Sequence, residues 1–394
     1  MAQVTVQPRA KDNGKVGSIG AAWPPALDKH NARVKGFAQF KIDDRPTLVG
    51  MLTEATEVRR AHTSPKTGNP KATRITVRAF VRNGILEGSV VDAESPISGE
   101  GQIKVVKVKP DFQTEAPDFR VEAVIDAERV FPGYSLVYFG FNEPKRLPRS
   151  ESLTAELDIA RRVSHSFRAR RVGYDLKARR ASQGLPGRTE AAFARLGLGP
   201  RGYQRGIEID REAVLARLDT GGYGMVQLNG QHTQQDVAQL AALYARTYQM
   251  YTFDINRASL EAMFTDGNII MVGRHLPTGD IVSSLIAEHC RIEVDGVPVH
   301  LYESSDWATH SDHRGHGLIT AMQIEATRMI RELAHGERSI IYAEVRAPWE
   351  PANRSAASAG MEWVGTLLKH CVIKSDRDVE VRGNREDLNV WVAP

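Results

Sequence analysis

Apolar and polar positions alternate through much of residues 31–145. Ile75–Val81, Ile103–Val108 and Phe119–Ile125 alternate, and Tyr134–Phe139 is rich in β-branched and aromatic side chains. Alternation with a period of two suits strands that bury one face. Turn formers divide the runs: Ser64-Pro65, Thr67-Gly68-Asn69-Pro70, Asn83-Gly84 and Pro132-Gly133. The spacing predicts a β-rich domain over 31–145, arranged as a sandwich or barrel. This stretch has few histidines, no acid cluster and no glycine-rich phosphate loop, so no chemistry is assigned to it.

The pattern is different on either side. Residues 1–30 are irregular, punctuated by Gly14, Gly17, Gly20, Pro24 and Pro25. Residues 146–220 read as a basic helical linker region with a break at Gly184-Leu-Pro-Gly187. From Gly221 onward the pattern alternates between strand and helix. Met225–Leu228 reads as a strand, and His232–Asp236 opens an amphipathic helix with Val237, Leu240, Leu243 and Tyr244 at helical spacing. Strands follow at Ile269–Val272, Ile281–Ala287 and Val299–Ala308, then a helix over Ile319–Leu333 and a strand over Ser339–Val345. A short helix, Ala352–Ala359, and strands at Trp363–Ile373 and Leu388–Val392 complete the order. The predicted class is therefore α/β or α+β over 221–394, preceded by the β-rich domain.

Charge and composition refine this picture at three points. No apolar run approaches the length of a membrane span, and Met1–Lys15 lacks the apolar core of a secretory signal. The cysteines, Cys290 and Cys371, show no metal-type spacing, so a cytoplasmic, reduced protein without a metal is expected. The net charge of +4 is concentrated between Lys145 and Arg205, most densely from Arg161 to Arg180. The simpler reading of that strip is a solvated face, and the alternative is a surface for a polyanion such as nucleic acid.

The strongest candidate for chemistry lies between a predicted strand and a predicted helix, at Thr309-His310-Ser311-Asp312-His313-Arg314-Gly315-His316-Gly317-Leu318. A helix start presents unpaired N–H groups and a partial positive charge. Gly315 and Gly317 clear space for a phosphate, and Arg314 adds a full charge. His310, His313 and His316 flank the turn as company for phosphate.

With this turn in its middle, the region from residue 221 resembles the GCN5-related N-acetyltransferase superfamily. Trp307–Leu318 resembles its acetyl-CoA signature, with Arg-Gly-x-Gly after an apolar strand end, and Asn353–Gly360 resembles its second signature. Within the superfamily, three segments resemble the beta-lysine acetyltransferases: Tyr251-Thr-Phe-Asp-Ile255, Glu303-Ser-Ser-Asp-Trp-Ala-Thr309 and Glu386-Asp-Leu-Asn-Val-Trp391. The resemblance departs at Asp254, where that branch has proline, and at Ala356, where many members of the superfamily carry a tyrosine.

The resemblance implies an acetyl-CoA-dependent N-acetyltransferase that passes the acetyl group directly to a small amine, beta-lysine-like or another diamino acid. A protein lysine or a nucleic-acid-linked amine, recruited by the N-terminal region, is the alternative acceptor. Arg314, Gly315, His316, Gly317 and Leu318 would hold the pyrophosphate. Ala308 and Thr309 would hold the pantetheine arm and acyl carbonyl, and Asn353 would bond the arm. Glu303 would take the amine proton, with Asp306 the competing carboxylate. Strand alternation sends those two to opposite faces unless a bulge intervenes. With Ala356 lacking a hydroxyl, Tyr342 or a water would serve the leaving thiolate. Tyr251, Phe253, Asn389 and Trp391 would line the acceptor pocket. A homo-oligomer is left open.

Overall fold

The computed structural model describes residues 26–28, 33–61, 74–85, 90–92, 106–108, 119–127, 129–142, 163, 203–204, 208–209, 211–228, 232–250, 256–265, 267–333, 338–371, 373–375 and 386–393. In chain order the first elements are β1 (Ala26–Asp28), β2 (Arg33–Ile42), α1 (Arg45–Ala61), β3 (Arg74–Arg82), β4 (Val90–Asp92), β5 (Val106–Val108), β6 (Arg120–Asp126) and β7 (Tyr134–Asn142). Then follow β8 (Tyr203–Gln204), β9 (Glu208–Ile209), α2 (Arg211–Thr220), β10 (Tyr223–Leu228), α3 (Gln234–Thr247), β11 (Tyr248–Met250) and α4 (Arg257–Thr265). The remainder is β12 (Ile269–His275), β13 (Asp280–Val294), β14 (Val297–Thr309), α5 (Leu318–Leu333), β15 (Ser339–Arg346), α6 (Glu350–Ser358), β16 (Glu362–Cys371), β17 (Lys374–Ser375) and β18 (Glu386–Val392). Val163, the one described position between 143 and 202, is helical; the rest of the Arg161–Arg180 strip lies outside the described residues.

The expected mixed α/β fold is present, but the N-terminal strands form neither a sandwich nor a barrel. They belong to a 12-stranded sheet in the order β1-β2-β3-β7-β6-β16-β18-β15-β14-β13-β12-β10. β2 and β3 are parallel, which requires a crossover, and α1 supplies it. Asp44 starts α1 by accepting from the Thr47 N–H (2.8 Å), and the helix buries Leu48, Met51, Leu52 and Ala55. That spacing of three and four residues is one helical face.

The two halves of the sheet meet where β6 lies beside β16. The register there pairs Gly365 with Ala123. A Cβ at Gly365 would stand 2.2 Å from the Glu122 carbonyl oxygen and 2.5 Å from Ala123 Cα, so only glycine allows this approach. One apolar cluster crosses the junction. Phe37, Phe80, Leu136 and Tyr138 pack with Val299, Leu301, Ile340, Tyr342, Leu388 and Val390. Burial of that shared surface is the main force joining the halves.

In the C-terminal half, α5 buries Leu318, Ala321, Met322, Ala326 and Ile330 against one sheet face. α3 buries Val237, Leu240, Leu243 and Tyr244 with Ile270, Val272 and Ile286. A capping box starts α3, with Thr233 and Asp236 bonding each other's backbone N–H. β14 runs parallel to β15 only from His300–Glu303 against Ser339–Tyr342. Beyond Glu303 no pairs join the two strands, and a cleft opens between them.

Candidate active site

The cleft holds a cavity of about 460 Å³. One wall is the free edge of β14, with Ser304, Ser305, Asp306, Trp307 and Thr309. The other wall combines Glu344, Val345 and Arg346 of β15 with Trp349 and the start of α6. The glycine turn closes one end with Arg314, Gly315, His316, Gly317 and Leu318, and Tyr248 stands among the lining residues. The turn residues named from the sequence therefore come together with Thr309 around one space. Ala308 is fully buried beside them, in the core under α3.

The turn is built to leave room. Gly315 and Gly317 have φ of +86° and +79°, and a Cβ on either would meet nothing within 4 Å. Positive φ suits glycine, which has no Cβ to clash. The first intrahelical bond of α5 runs from the Ala321 N–H to the Gly317 carbonyl (3.0 Å). The N–H groups before Ala321 have no acceptor within the helix and line the cavity through Leu318, Ile319 and Thr320. Arg314 is braced by donation from Nε to the Thr309 carbonyl (2.9 Å). These features fit a pyrophosphate, whose oxygens accept hydrogen bonds and carry negative charge.

His313 shares a 3.0 Å bond with the Tyr223 hydroxyl, and its ring lies 4.9 Å from His275 and 5.8 Å from His310. The His316 ring is 4.9 Å from Tyr223. Desolvation lowers the His313 pKa below the ordinary histidine value, and the neighbouring histidines add to that.

A bulge does interrupt β14. Ser284 pairs with Ala308 but Ile286 pairs with Ser305, so β14 carries an extra residue there. Asp306 sits at this point with φ of +54°, a left-handed conformation that non-glycine residues rarely adopt. Its carbonyl accepts from the Tyr244 hydroxyl (2.8 Å), and the Trp307 carbonyl accepts from Tyr248 (2.6 Å). Ser304 bonds Gln323 of α5 and accepts from Trp307 Nε1 (3.0 Å), which ties the bulged edge to the helix beneath.

Glu303 and Asp306 occupy different surroundings. Asp306 lines the cavity. Glu303 is 1% exposed and accepts from the Tyr342 hydroxyl (3.1 Å) at the last paired position before the strands part. Tyr342 in turn accepts from Arg78 of β3 (3.1 Å). Burial pushes the Tyr342 phenol well up, Arg78 opposes that shift and Glu303 adds to it, so the hydroxyl keeps its proton. Neither Glu303 nor Tyr342 is among the residues lining the cavity.

Asn353, Asn389 and Trp391 form one buried network. Asn353 Nδ2 donates to the Arg346 (2.9 Å) and Trp349 (2.9 Å) carbonyls. Its Oδ1 accepts from Asn389 Nδ2 (2.9 Å) and Trp391 Nε1 (3.0 Å), and Asn389 Oδ1 accepts from Thr366 (2.7 Å). All three are fully buried and none lines the cavity. Asn353 ties α6 to β15 and β18, and Asn389 and Trp391 pack in the core beside it. Tyr251 and Phe253 lie outside the described residues.

Sequence reasoning missed Arg78, Glu344 and His370. Arg78 Nη2 donates to Glu344 Oε1 at 2.7 Å, with both side chains buried. The alternation that marks β3 as a strand gives no sign that its arginine points into a core shared with β15. Cys290 takes no part in the lining. Burial pushes the Cys290 thiol up to about 11, so it is not a thiolate at neutral pH. Among the described residues no helix is long and apolar enough to cross a membrane.

The geometry joins a parallel pair that splays, a bulged edge and a glycine turn opening a helix. Residues 231–343 match the family model for an acetyltransferase (GNAT) domain. The chain thus carries a GNAT acetyltransferase domain in its C-terminal half. No curated protein matches the sequence significantly. A conserved protein of unknown function from Enterococcus faecalis is similar over 31% of this chain and 29% of that chain, at 14% identity and a TM-score of 0.25. A spermidine N-acetyltransferase from Vibrio cholerae, in complex with CoA and spermine, is similar over 44% of this chain and 95% of its own, at 13% identity and a TM-score of 0.32. A ribosomal-protein-alanine N-acetyltransferase from Brucella melitensis is similar over 43% and 98%, at 21% identity and a TM-score of 0.33.

Proposed function

We propose that the chain is an acetyl-CoA-dependent N-acetyltransferase whose acceptor is the amine of a small molecule, beta-lysine-like or another diamino acid. The observation that carries this reading is the cavity between the splayed ends of β14 and β15, closed by the Arg314–Leu318 turn. Acetyl-CoA, when bound, supplies a thioester whose acyl carbon accepts an amine. The turn and the first N–H groups of α5 hold its pyrophosphate. The β14 edge around Ala308 and Thr309 lies along the arm.

An alkylammonium with its pKa above about 10 must lose a proton before it attacks. Asp306 takes that proton in this reading, which its presence among the cavity-lining residues at the bulge supports. Glu303 is the competing carboxylate, buried behind the cleft where it accepts from Tyr342. The amine nitrogen forms the new C–N bond and the C–S bond breaks. The sulfur leaves with the electron pair and takes up, through water, the proton that the nitrogen sheds as the amide forms. Cys290 and Cys371 lie outside both signature segments and the Cys290 thiol stays protonated, so transfer is direct, without an acyl-cysteine.

The test mixes the full chain with acetyl-CoA and a panel of amines, follows free thiol and identifies the acetylated product by mass. Release of coenzyme A matched by an acetylated diamino acid is expected. Acetyl groups appearing only on protein lysine or RNA would replace the small acceptor with a macromolecular one.

A further inference from the structure

Four consecutive carbonyls at the bulged end of β14 are met by side chains. The Asp306 carbonyl accepts from the Tyr244 hydroxyl (2.8 Å) and the Trp307 carbonyl from the Tyr248 hydroxyl (2.6 Å). The Ala308 carbonyl accepts from Ser283 of β13 (3.0 Å), and the Thr309 carbonyl from Arg314 Nε (2.9 Å). In a planar trans peptide the C=O and the following N–H point in opposite directions. The Ala308 carbonyl is turned to β13, so the Thr309 N–H points away from β13, toward the cleft. The other side of the same rule holds one residue on: the Thr309 carbonyl meets Arg314, and the His310 N–H donates back to Val282 of β13 (2.9 Å). By the same rule the Trp307 N–H points away from Tyr244. Trp307, Thr309 and Tyr248 all line the cavity.

The two tyrosines come from one place. They stand four residues apart at the end of α3, which puts them on one face, and their rings stack with centroids 6.3 Å apart and planes at 19°. Tyr244 is 1% exposed. Burial pushes its phenol well above the ordinary value, so the hydroxyl keeps the proton it donates. Between them the hydroxyls fix the two peptide planes that follow Asp306. Asp306 itself has φ of +54°, and a non-glycine residue persists there only where its surroundings hold it.

We propose that Tyr244 and Tyr248 are positioning residues for acyl transfer. They hold the bulge so that the Trp307 and Thr309 N–H groups meet the acyl carbonyl of the donor. The inference rests on the acetyltransferase reading. As the amine attacks, the carbonyl oxygen gains negative charge, and an N–H already aimed at it bonds more strongly in the transition state than before it. Peptide planes fixed in advance need no reorganisation at that moment. Loss of either hydroxyl therefore acts more on turnover than on binding, and acts on the acyl group rather than on the rest of the coenzyme.

Tyr248→Phe and Tyr244→Phe in the full chain keep the ring and remove the hydroxyl. Each should lower kcat about tenfold or more. Calorimetry without an amine should show acetyl-CoA binding weakened about threefold, the size of one neutral hydrogen bond, and coenzyme A, which has no acyl carbonyl, bound as by wild type. Unchanged kcat in both variants would overturn the proposal, and so would equal weakening of acetyl-CoA and coenzyme A, which marks a general distortion of the site. If Tyr244→Phe does not fold, Tyr248→Phe decides. Thiol release indifferent to both substitutions sinks this inference and leaves the acetyltransferase reading standing. If no amine supports thiol release, that reading fails and the two affinities decide alone: a loss confined to acetyl-CoA supports the positioning role, and an equal loss or none overturns it.

Discussion

At the scale of single residues, the glycine turn and the asparagine hub predict opposite kinds of damage. Gly315 and Gly317 need positive φ and face open space, so alanine there strains the backbone and narrows the cradle. Gly317→Ala should raise KM for acetyl-CoA about tenfold or more, a loss of about 1.4 kcal/mol, with a small change in thermal midpoint. Asn353→Ala should do the opposite. It leaves Asn389 Nδ2 and Trp391 Nε1 buried without their acceptor, at about 1–3 kcal/mol each. Thermal unfolding should show the loss, while KM for acetyl-CoA stays near wild type. His313 supplies a pH dependence. Its pKa is lowered in the free protein, and a bound pyrophosphate favours the protonated form. Binding therefore takes up a proton, and affinity for coenzyme A should rise as pH falls from 7 toward 6. Calorimetry in buffers of different ionisation enthalpy reads that uptake directly. On its own, the lowered pKa makes the unfolded chain bind more protons just below the ordinary histidine value, so His313 detracts from stability as pH falls there.

At the scale of elements, much of the C-terminal half was legible and its partners were not. The helix after Gly317 and the strands over 269–309 stand where periodicity places them, because each buries a regular face. Helix α1 went unread because Thr47, Val49 and Gly50 have weak helix propensity, while the Leu48, Met51, Leu52, Ala55 face that tertiary packing uses is short. The sandwich expectation failed for a related reason. Alternation reports that a strand has a buried face but not which strand lies beside it. Asn389 and Trp391 are legible as a motif, yet a motif does not say whether its polar atoms face a cleft or each other. The junction of β6 with β16 is likewise silent in sequence, since Gly365 looks like any strand glycine. A Cβ there overlaps backbone of the neighbouring strand at 2.2 Å. Gly365→Val should destabilise the chain by several kcal/mol, on the order of the larger core substitutions. Chemical denaturation would show whether it does.

At the scale of the whole molecule, the N-terminal strands are part of the same sheet and the same apolar cluster as the acetyltransferase domain. Removing residues 1–142 would expose Leu301, Ile340, Leu388 and Val390 to water and leave Glu344 without Arg78. The truncated chain should aggregate or unfold, as light scattering and circular dichroism would report; a soluble, cooperative fragment would mean that the shared core contributes little. This differs from a simple appended recruiting domain, which could be cut away with the catalytic half intact. The measurement that bears most directly on the account is thiol release by the full chain with acetyl-CoA and 1,5-diaminopentane or a diamino acid. The account predicts coenzyme A released in step with N-acetylated amine. Binding of coenzyme A with no acetylated small amine, and the label found on protein or RNA instead, would contradict it.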